Sequence, residues 1–233
     1  DSVASVSSTG IVTALKSGTT TITASADGVS ASCTVTVLEP VDFYFTQGEI
    51  YAYTNDPFDT GEETVQYTIA YLYTDGVDVA GFEGDGYGMQ LIYCAPIGTG
   101  AAIPAGTYTF TDILTVEDAV PNAVEAGYMT EAGENGSLLL FFALNDPEYL
   151  EQVPKPGAYT MGLLSAGKSF DVSVEDGIYT LVGEFEVPTE SGSVEFTFRF
   201  KGEIADNTSS GAPAAIKGVK TVHQRANIPW LKK

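Results

Sequence analysis

The clearest pattern in the chain is alternation. In SVEFTFRFKG, residues 193–202, Phe196, Phe198 and Phe200 alternate with Thr197, Arg199 and Lys201. A period of two predicts a strand with one face on a core and the other in water. In TVQYTIAYLY, residues 64–73, Tyr67, Ile69, Tyr71 and Tyr73 fall on one face and Thr68, Ala70 and Leu72 on the other. Similar runs cover 49–54, 87–94, 107–112, 137–144, 158–164, 169–174 and 178–187, with Gly, Asp, Asn and Pro between them, as turns between short strands require. The single helical signal is brief: Asp146 caps a turn with Pro147 at its first position, running through Gln152. The expected fold class is all-β, most simply an antiparallel β-sandwich.

Three copies of G-x-Y-T, at Gly106–Thr109, Gly157–Thr160 and Gly177–Thr180, each read as a turn releasing into a strand whose Tyr takes one side. They record either a duplicated hairpin unit or convergent strand starts.

Composition adds a location for the charge. The 44% hydrophobic fraction, with 13 Tyr and 12 Phe, suffices for a packed core and excludes disorder for most of the chain. Acids outnumber bases 31 to 10, for a net charge of -21. Such a surface repels nucleic acid and anionic lipid and suits solubility, cations or a basic partner. Between Lys16 and Lys155 there is no Lys or Arg among 21 Asp and Glu, whereas the last seventeen residues hold five bases and no acid. The chain therefore reads as an acidic body with a basic tail. No run approaches the roughly 18 apolar residues of a membrane span.

Cys33 alternates with Ala31, Val35 and Val37, which predicts a free thiol buried on their apolar face; a bridge from Cys33 to Cys94 is the alternative.

The first 37 residues resemble the bacterial immunoglobulin-like group 2 family. SVASVSSTGIVTALKSG carries Val3, Ala4, Val6, Gly10, Val12, Ala14 and Gly18 at that family's spacing, and TTTITA and SCTVTV match its last two strands. The match lacks the family's N-terminal strands, and a half-module would expose sheet edges and a core face that favour pairing with another copy. From Glu39 onward, the IPAGTYTF style of strand entry, the acidic loops and the tyrosines are loosely similar to β-sandwich domains of surface lipoproteins in gut Bacteroidales. These resemblances imply a partial immunoglobulin-like module over residues 1–38, a β-sandwich over 39–204, and a linker with a basic tail over 205–233. They also imply an extracellular or outer-surface location, with a lipid anchor reached through a removed N-terminal signal.

Three places could carry recognition. The loop TDGVDVAGFEGDGYG offers Asp75, Asp78, Glu83 and Asp85 as hard oxygen ligands for calcium on a Gly-rich backbone, though its spacing is not that of an EF-hand and a polar link between strands explains it too. Tyr51 and Tyr53 alternate on one strand face beside polar residues, as rings that stack on sugars do; packing of core edges is the alternative. In the tail, Arg225 and Trp230 suit docking on the acidic body of the same or a neighbouring molecule, against a frayed terminus.

Catalysis finds little support. The one histidine, His223, lies in the tail, no His/Cys cluster suits zinc, and Glu184 and Glu186 alternate onto the solvent side of their strand. The expectation is a non-catalytic adhesion or interaction protein, its first module a spacer, its partner a host or bacterial surface protein or glycan. A carbohydrate-binding domain or a surface-fibre subunit are the alternatives.

Overall fold

The computed structural model describes residues 3–55, 64–79, 83–113, 116–130, 133–142, 158–189 and 192–208. They fall into two compact units that part between Val41 and Asp42. No described helix is long and apolar enough to cross a membrane.

The smaller unit holds two hairpins. Strand β1 (Ala4–Val6) pairs with β2 (Val12–Ala14), and β3 (Gly18–Ala26) with β4 (Val29–Val37). The second hairpin turns through Asp27 and Gly28, both at positive φ, as a two-residue turn between right-twisted strands demands. One of its faces is a hydroxyl ladder: Thr19 bonds Thr36 at 3.3 Å, Thr23 bonds Ser32 at 2.7 Å and Ser25 bonds Ser30 at 2.7 Å. The other carries Ile22 opposite Cys33, Ala24 opposite Ala31 and Ala26 opposite Val29.

Here the expectation for Cys33 fails. It does share its face with Ala31, Val35 and Val37, but it is an exposed free thiol, and Cys94 is a buried free one. Alternation identifies a face; burial needs a second layer on that face. No described residue of this unit is buried.

The larger unit is an all-β sandwich built on one 12-stranded mixed sheet, beside which two short strand pairs form 2-stranded sheets of their own. Its strands, in order, are β5 (Phe43–Phe45), β6 (Gln47–Thr54), β7 (Gln66–Tyr73), the short β8 (Val77–Asp78) and β9 (Glu83–Gly84), and β10 (Gly86–Ala95). After β11 (Gly106–Thr111) a single 3-10 turn, Val116–Asp118, leads to β12 (Ala123–Glu125) and the hairpin β13 (Tyr128–Thr130) and β14 (Gly133–Asn135). Then come β15 (Leu138–Phe142), β16 (Ala158–Leu163), β17 (Ser169–Glu175), β18 (Ile178–Thr189), β19 (Gly192–Gly202) and β20 (Ala205–Asp206).

The main path through the sheet is β20-β6-β7-β10-β12-β11-β17-β18-β19-β5. Strand β10 forks it: the β10 start pairs with β15, which pairs in turn with β16, and Tyr93 near the β10 end pairs with Val124 of β12. Only Thr46 separates β5, at the far end of the path, from β6 near its beginning. The sheet thus returns on itself around the main core. Parallel contacts occur at β5–β19, β11–β12 and β6–β20, so the sheet is mixed rather than purely antiparallel.

That core is aromatic. Phe196, Phe198 and Phe200 all point into it, as their alternation predicts. Tyr108 stacks on Phe170 at 5.3 Å, and Phe170 meets Phe198 edge-on at 5.5 Å, arrangements that add to plain area burial. Two of the G-x-Y-T tyrosines serve this same cluster: Tyr108 is buried in it and Tyr179 packs against it. Strand β7 is covered on both faces, with Ala70 and Leu72 in the main core and Tyr71 and Tyr73 in a second cluster with Leu138 and Leu140. The expected turn at 146–152 lies outside the described residues.

Candidate functional site

Strand β6 reaches one candidate. Its register with β7 runs Ile50 opposite Ala70, then Ala52 opposite Ile69, leaving Tyr51 as the extra residue of a β-bulge. An extra residue reverses the alternation beyond it. Tyr51 therefore turns to the second cluster, 4% exposed, with its ring edge-on to Tyr71 at 5.5 Å. Tyr53 pairs with Thr68 on the opposite face and stays 46% exposed. The expected shared face of Tyr51 and Tyr53 is not there; one ring remains available at the surface.

A polar group that the sequence does not announce surrounds Tyr51. Glu49, one turn of the pleat away, accepts hydrogen bonds from the Tyr73 hydroxyl and from Asn207 Nδ2, the latter at 2.7 Å. Asn207 arrives because β20 lies alongside β6, where the Asn207 amide donates to the Ile50 carbonyl at 2.9 Å. Burial first, then the charges of Glu49 and Asp78, hold the Tyr51 phenol above its ordinary range. Burial and the Glu49 hydrogen bond do the same to Tyr73. Both phenols stay protonated and can donate. In sequence, Glu49 is one acid in a strand, and its partner Asn207 is 158 residues away.

The acidic loop is tightly wound. Asp78 closes β8 opposite Glu83 of β9, and the Asp85 amide donates to the Gly76 carbonyl at 3.4 Å. Gly84 sits at φ 114°, where a Cβ would overlap the Gly76 carbonyl oxygen. Asp75 is engaged elsewhere: its Oδ1 accepts from Thr46 Oγ1 at 3.0 Å and from Gln47 Nε2 at 2.8 Å. Those two bonds lower its carboxyl below the usual range and tie the loop to the β5–β6 junction. The Glu83 side chain is outside the described set. Among the described residues no three His, Cys, Asp or Glu gather where they could hold a metal ion. Arg225 and Trp230 also lie outside the described residues.

Away from these candidates, Glu184 is exposed and Glu186 half-buried on the outer face of β18. Lys168 reaches Glu184 at 3.7 Å and Glu195 at 2.5 Å, so one cation bridges acids that would otherwise repel across β18 and β19. The Cys94 thiol is buried and pushed up to about 12 by desolvation, then by Glu125, which keeps it a neutral thiol. The arrangement offers hydrogen-bond donors and acceptors, an exposed ring and a solvated acidic surface. No protein-family model, curated protein or solved structure matches the chain.

Proposed function

We propose that the chain is a non-catalytic surface-interaction protein in which a partial immunoglobulin-like module serves as spacer for a β-sandwich that makes the contact. One observation carries the reading: a small unit with no buried residue among those described precedes a densely packed aromatic sandwich. The hydroxyl ladder of β3 and β4 suits a solvated connector, and the sandwich supplies the rigid scaffold a recognition surface needs. The group 2 resemblance supports a cell-surface setting, with attachment through a lipid anchor. Its partner is a surface protein or glycan, not a polyanion, given the net charge of -21.

The test is a screen of the full chain against arrayed surface proteins and glycans, with calcium and again with chelator, followed by mass spectrometry of the captured ligand. Saturable binding with the ligand recovered unchanged supports the reading. A blank array, or a ligand recovered chemically altered, sinks it.

A further inference from the structure

Strand β12 is three residues long and wedged between longer neighbours. It meets β10 antiparallel at Tyr93–Val124, and β11 in parallel from Thr109–Ala123 to Thr111–Glu125. Val124 enters the main core, so Ala123 and Glu125 take the other face, where Ala123 joins Val65, Cys94, Ile113 and Ala119. Glu125 is only 8% exposed there. The Tyr67 hydroxyl donates to its carboxylate.

A buried carboxylate is tolerated when it is paired or neutral. The titratable groups facing Glu125 are Tyr67 from β7, Cys94 from β10 and Tyr128 from β13, and each of the three is itself held neutral by burial and by Glu125. Strand β11 sets Thr111 beside it. No described base faces it, so no opposite charge offsets the cost of burying its ionised form.

We propose that Glu125 is a proton-operated latch on β12. Protonated, it sits in the cluster as a neutral acid, and β12 stays inserted between β10 and β11. Ionised, it favours a local opening in which β12 withdraws and the carboxylate reaches water. Opening would free the Ala126 amide from the Thr111 carbonyl, 2.8 Å away, and the Ser137 amide from the Glu125 carbonyl, 3.2 Å away. It would thereby release the adjoining β13–β14 hairpin, which carries the exposed Tyr128 and Met129.

The sign follows from the environment. Desolvation raises the Glu125 carboxyl above the ordinary glutamate range, partly offset by the Tyr67 hydrogen bond, so the closed state holds the proton more tightly than the open one. Closure is favoured below the open-state pKa and is progressively lost as pH rises through the closed-state pKa. Between those limits one linked proton changes the opening equilibrium about tenfold per pH unit.

The experiment measures amide exchange at Ala126 in the full chain, wild type against Glu125→Gln, from about pH 4 to about pH 8. Because the side chain before Ala126 alters its intrinsic exchange, each rate is first divided by that of the matching unstructured peptide at the same pH, and the ratio of the two is then taken. The latch predicts a ratio that is lowest at the acid end, climbs with a slope of at most about tenfold per pH unit, and then levels off. A flat ratio overturns it. A second measurement does not depend on the variant folding: the Glu125 carboxyl carbon shift in the wild type. A midpoint above the usual range, coinciding with the levelling of wild-type opening, supports the latch; a midpoint in the ordinary range of about 4.3 overturns it.

Discussion

Asp42 and Thr197, 155 residues apart, clasp one another by both backbone and side chain. Asp42 Oδ2 accepts from the Thr197 amide at 3.0 Å and from its hydroxyl at 2.9 Å, while the Asp42 amide donates to Thr197 Oγ1 at 3.1 Å. The clasp fixes where the sandwich begins, because the next residues form β5 in parallel with β19.

Asp42→Ala should therefore cost the sandwich about 1 kcal/mol, below the range for charge-assisted bonds because the site is exposed to water. Thr197→Ser, which keeps the hydroxyl, should cost less. All thirteen tyrosines lie beyond Val41, so the near-ultraviolet tyrosine signal carries no contribution from the smaller unit. A urea midpoint unchanged by Asp42→Ala would remove the clasp as a stabilising element.

Gly183 marks a close approach between β17 and β18. It pairs with Phe170, and a Cβ there would overlap the Phe170 Cα and Cβ and the Ser169 carbonyl oxygen. Backbone cannot yield as a side chain tip can, so Gly183→Ala should lose about 3 kcal/mol, at the upper end of the overpacking range. Denaturation of the purified variant checks this, and a near-neutral result would mean that the two strands sit further apart.

These elements were unequally legible in the sequence. Phe196, Phe198 and Phe200 announced their strand and its inner face because every second residue is aromatic and the rest are polar. Tyr51 and Tyr53 looked equivalent, since a bulge is decided by how Ile50 and Ala52 meet Ala70 and Ile69 on the partner strand. Alternation sets Cys33 on the face it occupies, but nothing in its own strand records whether a second layer covers it. Glu125 lies in a strand too short to show any period, and its neighbours Tyr67 and Cys94 come from two other strands. Asp75 reads as a metal ligand by type, yet spends its Oδ1 on Thr46 and Gln47.

The two cysteines give a count that needs no variant. Exposed Cys33 should react with a thiol reagent in the native protein, and buried Cys94 only after denaturation. The expected stoichiometry is one thiol native and both unfolded. Two fast thiols in the native state would contradict the burial of Cys94, and none would contradict the exposure of Cys33.

Tyr53 is the exposed ring of its strand, and Tyr51 is locked against Tyr71. If a glycan is captured by this region, Tyr53→Ala should weaken binding by about 1–2 kcal/mol without moving the unfolding midpoint. Tyr51→Ala should instead destabilise the sandwich by about 3 kcal/mol, as loss of a large buried ring does. Equal effects of both substitutions on stability would contradict the split imposed by the bulge.

The most direct measurement of the central claim is a hydrogen-exchange footprint of the full chain with and without a captured surface ligand. The spacer-and-head account predicts protection confined to the sandwich, residues 42–208, with the hairpins of residues 3–41 unchanged. Protection confined to residues 3–41 would contradict it and make the smaller unit the binding element.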